Sequence, residues 1–342
     1  VKGKRKKRRR LPPGQRLIGY SGLAGLLVLS QGYSQPAELP RAGGLPVVQQ
    51  AVLAPPFHLT EELRALEEAI KEQSAKPGLR TGVFVVEPAT GKYADQSAHE
   101  SFAAASMIKV PVLVALLSAV DRKEVSLNQI LTMKQEDVAG GSGFLQWRPV
   151  GSQFPVAAVA ELMITHSDNT ATNMIINLLG GKSVLNPQFA GWGLTQTRIN
   201  NPLPDFDGTN RTSPYDLAYL LGLVQYGGQL SAESKDFMMR IMQRTRTRTL
   251  LPMGLGLGAR IAHKTGDIGG MVGDAGIVSA PGGQRYIVVA QVERPHNDVR
   301  ANLLIRRLSR SIYSTMVPEA VFPAPAPQKP ARHRLRHHRH RH

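Results

Sequence analysis

The sequence contains no cysteine. That excludes a disulfide framework, a thiol nucleophile and any cysteine-ligated metal site. Acidic residues are missing from both ends of the chain. Residues 1–10 hold eight Lys or Arg, and residues 324–342 hold six together with five His. Removing these 14 charges from the formal +17 leaves +3 for everything between. The charge therefore belongs to the tails, where the ordinary role of a basic run is to be solvated. The body carries no DNA- or RNA-reading motif, so no nucleic-acid partner is expected. The apolar stretch Leu17–Leu29 is about 13 residues, short of the ~20 that a membrane-spanning helix needs. No internal repeat is found.

What is present divides the chain into four stretches. Residues 1–30 place the run KGKRKKRRR before an apolar segment and then Gly, Ser, Gln and Pro, the order of an export signal, cleaved or kept as an amino-terminal anchor. Positive residues stay inside in either case. The remainder is then periplasmic, secreted or anchored at the outer face of the cytoplasmic membrane. Residues 31–57 are rich in Pro, Gly and Ala and read as a linker. Residues 58–318 form the domain, and residues 319–342 a Pro-containing and then Arg/His-rich tail. Arginines interleave with the tail histidines, so no metal site is assigned. A monomer is expected.

Within the domain, Leu63, Leu66 and Ile70 share one face of a helix. TGVFVVE at 81–87 reads as a strand followed by a turn at 88–91 and a second strand. Residues 103–230 are mostly helical, strands return at 261–265, 274–280 and 285–292, and a helix closes the domain over 298–314. The expected fold class is α/β of the α+β type. A five-stranded antiparallel sheet carries the terminal helices on one face and an all-helical lobe on the other. A site is expected in the cleft between sheet and lobe.

Three short motifs occur in order. Ser106-Met107-Ile108-Lys109 opens an apolar helix, and a spacing of three puts the lysine amine on the serine's face. A desolvated amine there can lose its proton and take one from the hydroxyl. Ser167-Asp168-Asn169 precedes a helical run, where Ser and Asp are ordinary caps. Lys264-Thr265-Gly266 ends a strand. Each is common alone.

Together, S-x-x-K, S-D-N and K-T-G resemble class A β-lactamases and penicillin-binding proteins. The likeness runs through HSDNTATN and HKTG over about 260 residues. It implies that Ser106 attacks an acyl carbonyl, Lys109 activates it, and Ser167 with Lys264 delivers a proton to the leaving nitrogen. Asn169 would bind the substrate's side-chain amide and Thr265, beside Gly266, its carboxylate. The N–H groups of Ser106 and Asp267 would form the oxyanion hole. No cofactor is implied. The expected substrate is a β-lactam or a peptidoglycan stem peptide. A non-catalytic module that binds cell-wall peptide is the third reading, opposed by the intact Ser106, Lys109, Ser167 and Lys264.

The pattern also departs from the family. Where the class A loop carries the glutamate that hydrolyses the acyl-enzyme, this chain has Leu203. The loop's Arg–Asp brace is replaced by Asn201 and Asn210, and Asp205 or Asp207 offers a carboxylate in another register. Ala275 stands where many members have an arginine for the substrate carboxylate; Arg246 falls where others supply one. Strand alternation puts Asp267 on the side of Thr265, leaving open whether its carboxylate faces the cleft. His263, Trp147 and Trp192 are read as packing residues.

Overall fold

The computed structural model describes residues 55–324; the export segment, most of the linker and the Arg/His run lie outside the described residues. In chain order the strands are β1 (Glu61–Glu62), β2 (Arg80–Glu87), β3 (Lys92–Gln96), β4 (Phe102–Ala103), β5 (Ile130–Thr132), β6 (Gln153–Pro155), β7 (Arg211–Thr212), β8 (Arg260–Ile268), β9 (Met271–Ser279) and β10 (Arg285–Glu293). The helices are α1 (Arg64–Ser74), α2 (Lys109–Asp121), α3 (Val156–Thr165), α4 (Asn169–Leu178), α5 (Lys182–Gly191), α6 (Pro214–Gln225), α7 (Ala232–Gln243) and α8 (Val299–Met316).

The main sheet has the order β1-β3-β2-β10-β9-β8. Its long strands are antiparallel, and β8, the strand of Lys264, forms one edge. Both faces of the sheet are covered, which is why its strands read as near-continuous apolar runs. Val83 and Val85 of β2, with Val288, Ala290 and Val292 of β10, pack against Leu66 and Ile70 of α1 and Leu304, Leu308 and Ile312 of α8. The alternate residues Phe84, Val86, Ile287 and Val289 face the helical lobe. At the centre of that lobe α2 is buried from Lys109 to Ala119, so it is apolar all round rather than amphipathic.

Several expectations need correction. The sheet has six strands rather than five, because Glu61–Glu62 adds parallel to β3. Two exposed glutamates carry no period-2 apolar signal, so only the pairing reveals this strand. The lobe is not all-helical: β4 pairs with β7 and β5 with β6. Phe57, placed in the linker, is buried against Phe84 and Tyr219. Phe322, placed in the tail, packs on Tyr313 and under the Arg310 guanidinium. In both places an aromatic side chain supplies apolar area that fastens the segment flanking the domain to its body.

Ile70 is fully buried between α1 and the sheet, whereas Glu68 on the same helix is exposed. Ile70→Ala is expected to lower the unfolding free energy by about 2–5 kcal/mol, read from the urea midpoint, and Glu68→Ala to stay within about 0.5 kcal/mol.

Candidate active site

The sequence places Ser106 at the opening of a helix; it occupies the 3-10 turn Ala105–Ile108 that feeds α2. The turn is sharp. Ala105 takes φ +44°, a left-handed conformation unusual for a residue with a Cβ, and such residues persist only where their surroundings hold them. Here the Ala104 N–H donates to the Asn210 carbonyl at 2.7 Å, and buried Gln291 of β10 donates to the Ala103 carbonyl at 3.3 Å. Gly266 explains the glycine of the third motif. A Cβ there would lie 3.1 Å from both Ala105 Cβ and Met107 Cγ, so glycine lets β8 press against the serine turn where a side chain would push it back by a few tenths of an ångström.

Ser167 also has positive φ, at +54°. It is followed by Asp168, which is fully buried and accepts from the Ala171 N–H at 2.9 Å as the cap of α4. Its second oxygen accepts from the N–H groups of Phe144 and Leu145 at 2.8 and 2.9 Å, fastening the 140–145 loop to α4. Gly143, at φ +94°, makes room: a Cβ would fall 2.2 Å from the Asp168 carboxyl carbon. Sequence reasoning found the cap. It missed the clamp, for which the glycines of GGSG are the only local signal.

The four groups singled out by the motifs converge. Lys109 Nζ lies 3.0 Å from Ser106 Oγ, 3.1 Å from Ser167 Oγ, 2.7 Å from the Ser167 carbonyl and 2.8 Å from Asn169 Oδ1. Lys264 Nζ lies 3.1 Å from Ser167 Oγ and donates to the Thr265 carbonyl at 2.7 Å. Asn169 is held at its other end, donating through Nδ2 to the Gly140 carbonyl at 2.9 Å.

Both amines are buried. Burial holds Lys109 well below the usual lysine range, the neighbouring Lys264 charge lowers it further, and Asp168 opposes both. Burial likewise lowers Lys264, from 10.5 to about 7, against an opposing pull from Asp274. The contacts of Lys109 fit the neutral form. Its two shortest are to a carbonyl and an amide oxygen, which can only accept. They consume two N–H bonds and leave the lone pair for a hydroxyl proton, with Ser106 Oγ in reach.

The remaining candidates are placed differently. The Arg246 N–H donates to the Thr165 carbonyl, while its guanidinium is exposed near His166 rather than hydrogen-bonded to the cluster. The Asp267 carboxylate is taken by Arg294, whose other donors reach the carbonyls of Gly269 and Asp298 and Asn302 Oδ1. It borders a cavity of about 470 Å³ that also touches Asn302, Leu303 and Arg306 at the start of α8. Thr265 is nearly buried. Trp192 packs on Phe189, as expected, but Trp147 is 80% exposed and is no packing residue. Its 3-10 turn, anchored by the Asp168 clamp, is held at the surface rather than folded inward.

Leu203 is buried, and Asn173 bonds it from both sides, accepting from its N–H at 2.9 Å and donating to its carbonyl at 2.8 Å. Asn210 Oδ1 accepts from the N–H groups of Asn200 and Asn201, and Nδ2 donates to the Asn201 carbonyl, forming the loop's brace. Asp205 spends both oxygens on Thr209 and Asn210, and Asp207 is exposed. Among the described residues no three His, Asp or Glu gather closely enough to hold a metal ion.

The sequence model described as the Beta-lactamase enzyme family matches residues 59–316. A β-lactamase of Streptomyces cellulosae is 27% identical over 316 residues, covering 89% of this chain and 94% of its own. The structure of PBP-A is 49% identical with a TM-score of 0.74, the match covering 77% of this chain and 98% of its own. A mutant of PBP-A, solved as an acyl-enzyme complex with penicillin G, gives the same identity and TM-score over 75% of this chain and 97% of its own. An ancestral class A β-lactamase is 27% identical with a TM-score of 0.68, covering 73% and 99%.

Burial of Lys264 makes folding stability depend on pH. Between about pH 7 and 10.5 the unfolded lysine keeps its proton while the folded one has released it. The unfolded state then binds more protons, and stability rises with pH across that window. Lys264→Met removes this dependence. Its stability advantage over the parent, read from urea midpoints, is expected to be largest below pH 7 and to shrink as the pH is raised towards 10.

Proposed function

Because the chain belongs to the Beta-lactamase enzyme family, we propose that it is a serine acyl-hydrolase that opens β-lactam amides through an acyl-enzyme on Ser106 and releases the acyl group slowly. The observation that carries this reading is the reach of Lys109 Nζ to Ser106 Oγ, at 3.0 Å, with its other contacts spent on acceptors. Ser106 Oγ attacks the carbonyl carbon as its proton passes to Lys109. The N–H groups of Ser106 and Asp267 receive the developing oxyanion. The C–N bond breaks, and the leaving nitrogen takes the proton of Ser167 Oγ, which is restored from the amines at 3.1 Å on either side.

Slow release is supported by the loop. Hydrolysing the ester requires a base beside the acyl carbonyl, and the position for it holds a buried leucine. Asp205 is saturated by its own turn. The second reading, a penicillin-binding D,D-peptidase-like enzyme acting on peptidoglycan stems, is favoured by one specific observation: the PBP-A structures are 49% identical, against 27% for the β-lactamases compared. We take the export of the domain, with residues 1–30 as signal or anchor, as part of the same proposal.

Intact mass and absorbance after mixing with a chromogenic β-lactam test the reading. One adduct per chain with a burst of ring opening is expected, and Ser106→Ala should carry none. Leu203→Glu is expected to shorten the adduct's life by about tenfold or more. An adduct that survives Ser106→Ala refutes the nucleophile; rapid continuous turnover by the parent chain refutes slow release.

A further inference from the structure

On the face of β8 turned away from Lys264 lies an ionisable pair for which the mechanism above has no use. His263 Nδ1 is 2.9 Å from Asp274 Oδ1, and both side chains are completely buried. Asp274 Oδ2 accepts from the Leu251 N–H at 3.2 Å, and His263 Nε2 has no hydrogen-bond partner. In the β8–β9 register Asp274 stands opposite Thr265, next in sequence to Lys264. A buried carboxylate with so few donors is costly to keep charged unless a cation is near. Lys264 carries a buried amine on the other face of the strand, and the Asp274 charge opposes the loss of its proton.

We propose that His263 and Asp274 are positioning residues for Lys264: the imidazole fixes the carboxylate beneath the strand, and its negative charge favours the protonated amine on the other side. The inference rests on the acyl-enzyme reading above and adds a source for the charge on Lys264. Asp274 acts through the field alone: the hydrogen bonds of Lys264 run to Ser167 and Thr265 and none joins it to Asp274.

The surrounding charges leave few competitors. The 3-10 segment Ala105–Ile108 carries none, and Asp274 is the only ionisable residue of β9. Met238, Ile241 and Met242 are the buried side chains near the end of α7. Lys109 faces Lys264 from α2, and Asp168 sits at the head of α4; His166 and Arg246 lie together at the rim. Beneath the sheet the Leu251–Gly254 turn is uncharged. Arg306 of α8 is bonded to the Thr249 carbonyl, and Asp267 is neutralised by Arg294.

The test is the pH profile of the second-order rate of acylation, followed as adduct mass. If transfer from Ser167 needs charged Lys264, the rate falls on the alkaline side as that amine deprotonates. Asp274→Asn keeps the shape and removes the charge. It is expected to move the alkaline limb down by roughly half a pH unit or more. His263→Asn, whose amide can replace the Nδ1 donor, is expected to leave the limb where it is. An alkaline limb unmoved in a cooperatively folding Asp274→Asn variant overturns the proposal, whatever its effect on melting. Should that variant not fold, the joint replacement His263→Leu with Asp274→Val fills the site with apolar volume and carries the same expectation. Absence of any adduct on the parent chain refutes the acyl-enzyme reading instead.

Discussion

One hydroxyl placed between two buried amines is the constraint on which the site depends. Ser167 Oγ lies 3.1 Å from Lys109 Nζ and 3.1 Å from Lys264 Nζ. Two full ammonium charges at that separation and burial repel strongly, so the low-energy state has one amine neutral. In the proposed mechanism the neutral one is Lys109, which burial and the neighbouring Lys264 charge both lower, and whose two N–H bonds still satisfy the Ser167 carbonyl and Asn169 Oδ1. Each amine is opposed by one buried aspartate, Asp168 for Lys109 and Asp274 for Lys264, neither in contact with the lysine it supports. The arrangement sets one carboxylate behind each amine without quenching either in a direct ion pair.

Holding three segments at these distances accounts for much of the surrounding architecture. Ser106 and Lys109 come from one continuous turn and helix, so their mutual reach is local. Ser167 is 58 residues from Lys109 and 97 from Lys264, and its place is set by the Asp168 clamp on one side and by β8 on the other. Two of the five left-handed non-glycine residues among the described residues fall at the same points. Ala105 and Ser167 are left-handed without being glycine, each flanked by groups that hold it, as expected where local strain is offset by the packing of the rest. Gly143 and Gly266 serve the opposite need, removing a Cβ where backbone or a carboxylate must come close.

The long strands and terminal helices were legible because their periodicity is strong: apolar runs in β2 and β10, fourfold spacing in α8. The site was legible in identity, through three triplets in a fixed order. Its convergence came from the family resemblance rather than from any local rule. What stayed hidden was everything set by a distant partner. Glu61–Glu62 becomes a strand only because β3 offers an edge. The direction of Asp267 depends on Arg294, 27 residues away. Trp147 is exposed because a clamp made by Asp168, 23 residues from Leu145, fixes its turn at the surface. Asp274 reads as one polar residue in a strand until the register sets it beside Thr265 and His263.

Forming an acyl-enzyme and breaking it make different demands, and under the proposed function this chain meets them unequally. Acylation needs a hydroxyl, an amine that can take its proton and a donor for the leaving nitrogen, all placed within about 3 Å of one another. The cluster supplies these, with Lys109 bonded to both serine hydroxyls and Lys264 to that of Ser167. Deacylation needs one further base in register with a water, and the loop that presents it elsewhere in the family is here closed on itself. Asn173 takes both backbone groups of Leu203, Asn210 braces Asn200 and Asn201, and Asp205 is consumed by its own turn. A loop with its polar groups already paired is stable without a catalytic carboxylate. Its chemistry is then decided by a single side chain, at 203, while its fold is decided by the asparagines.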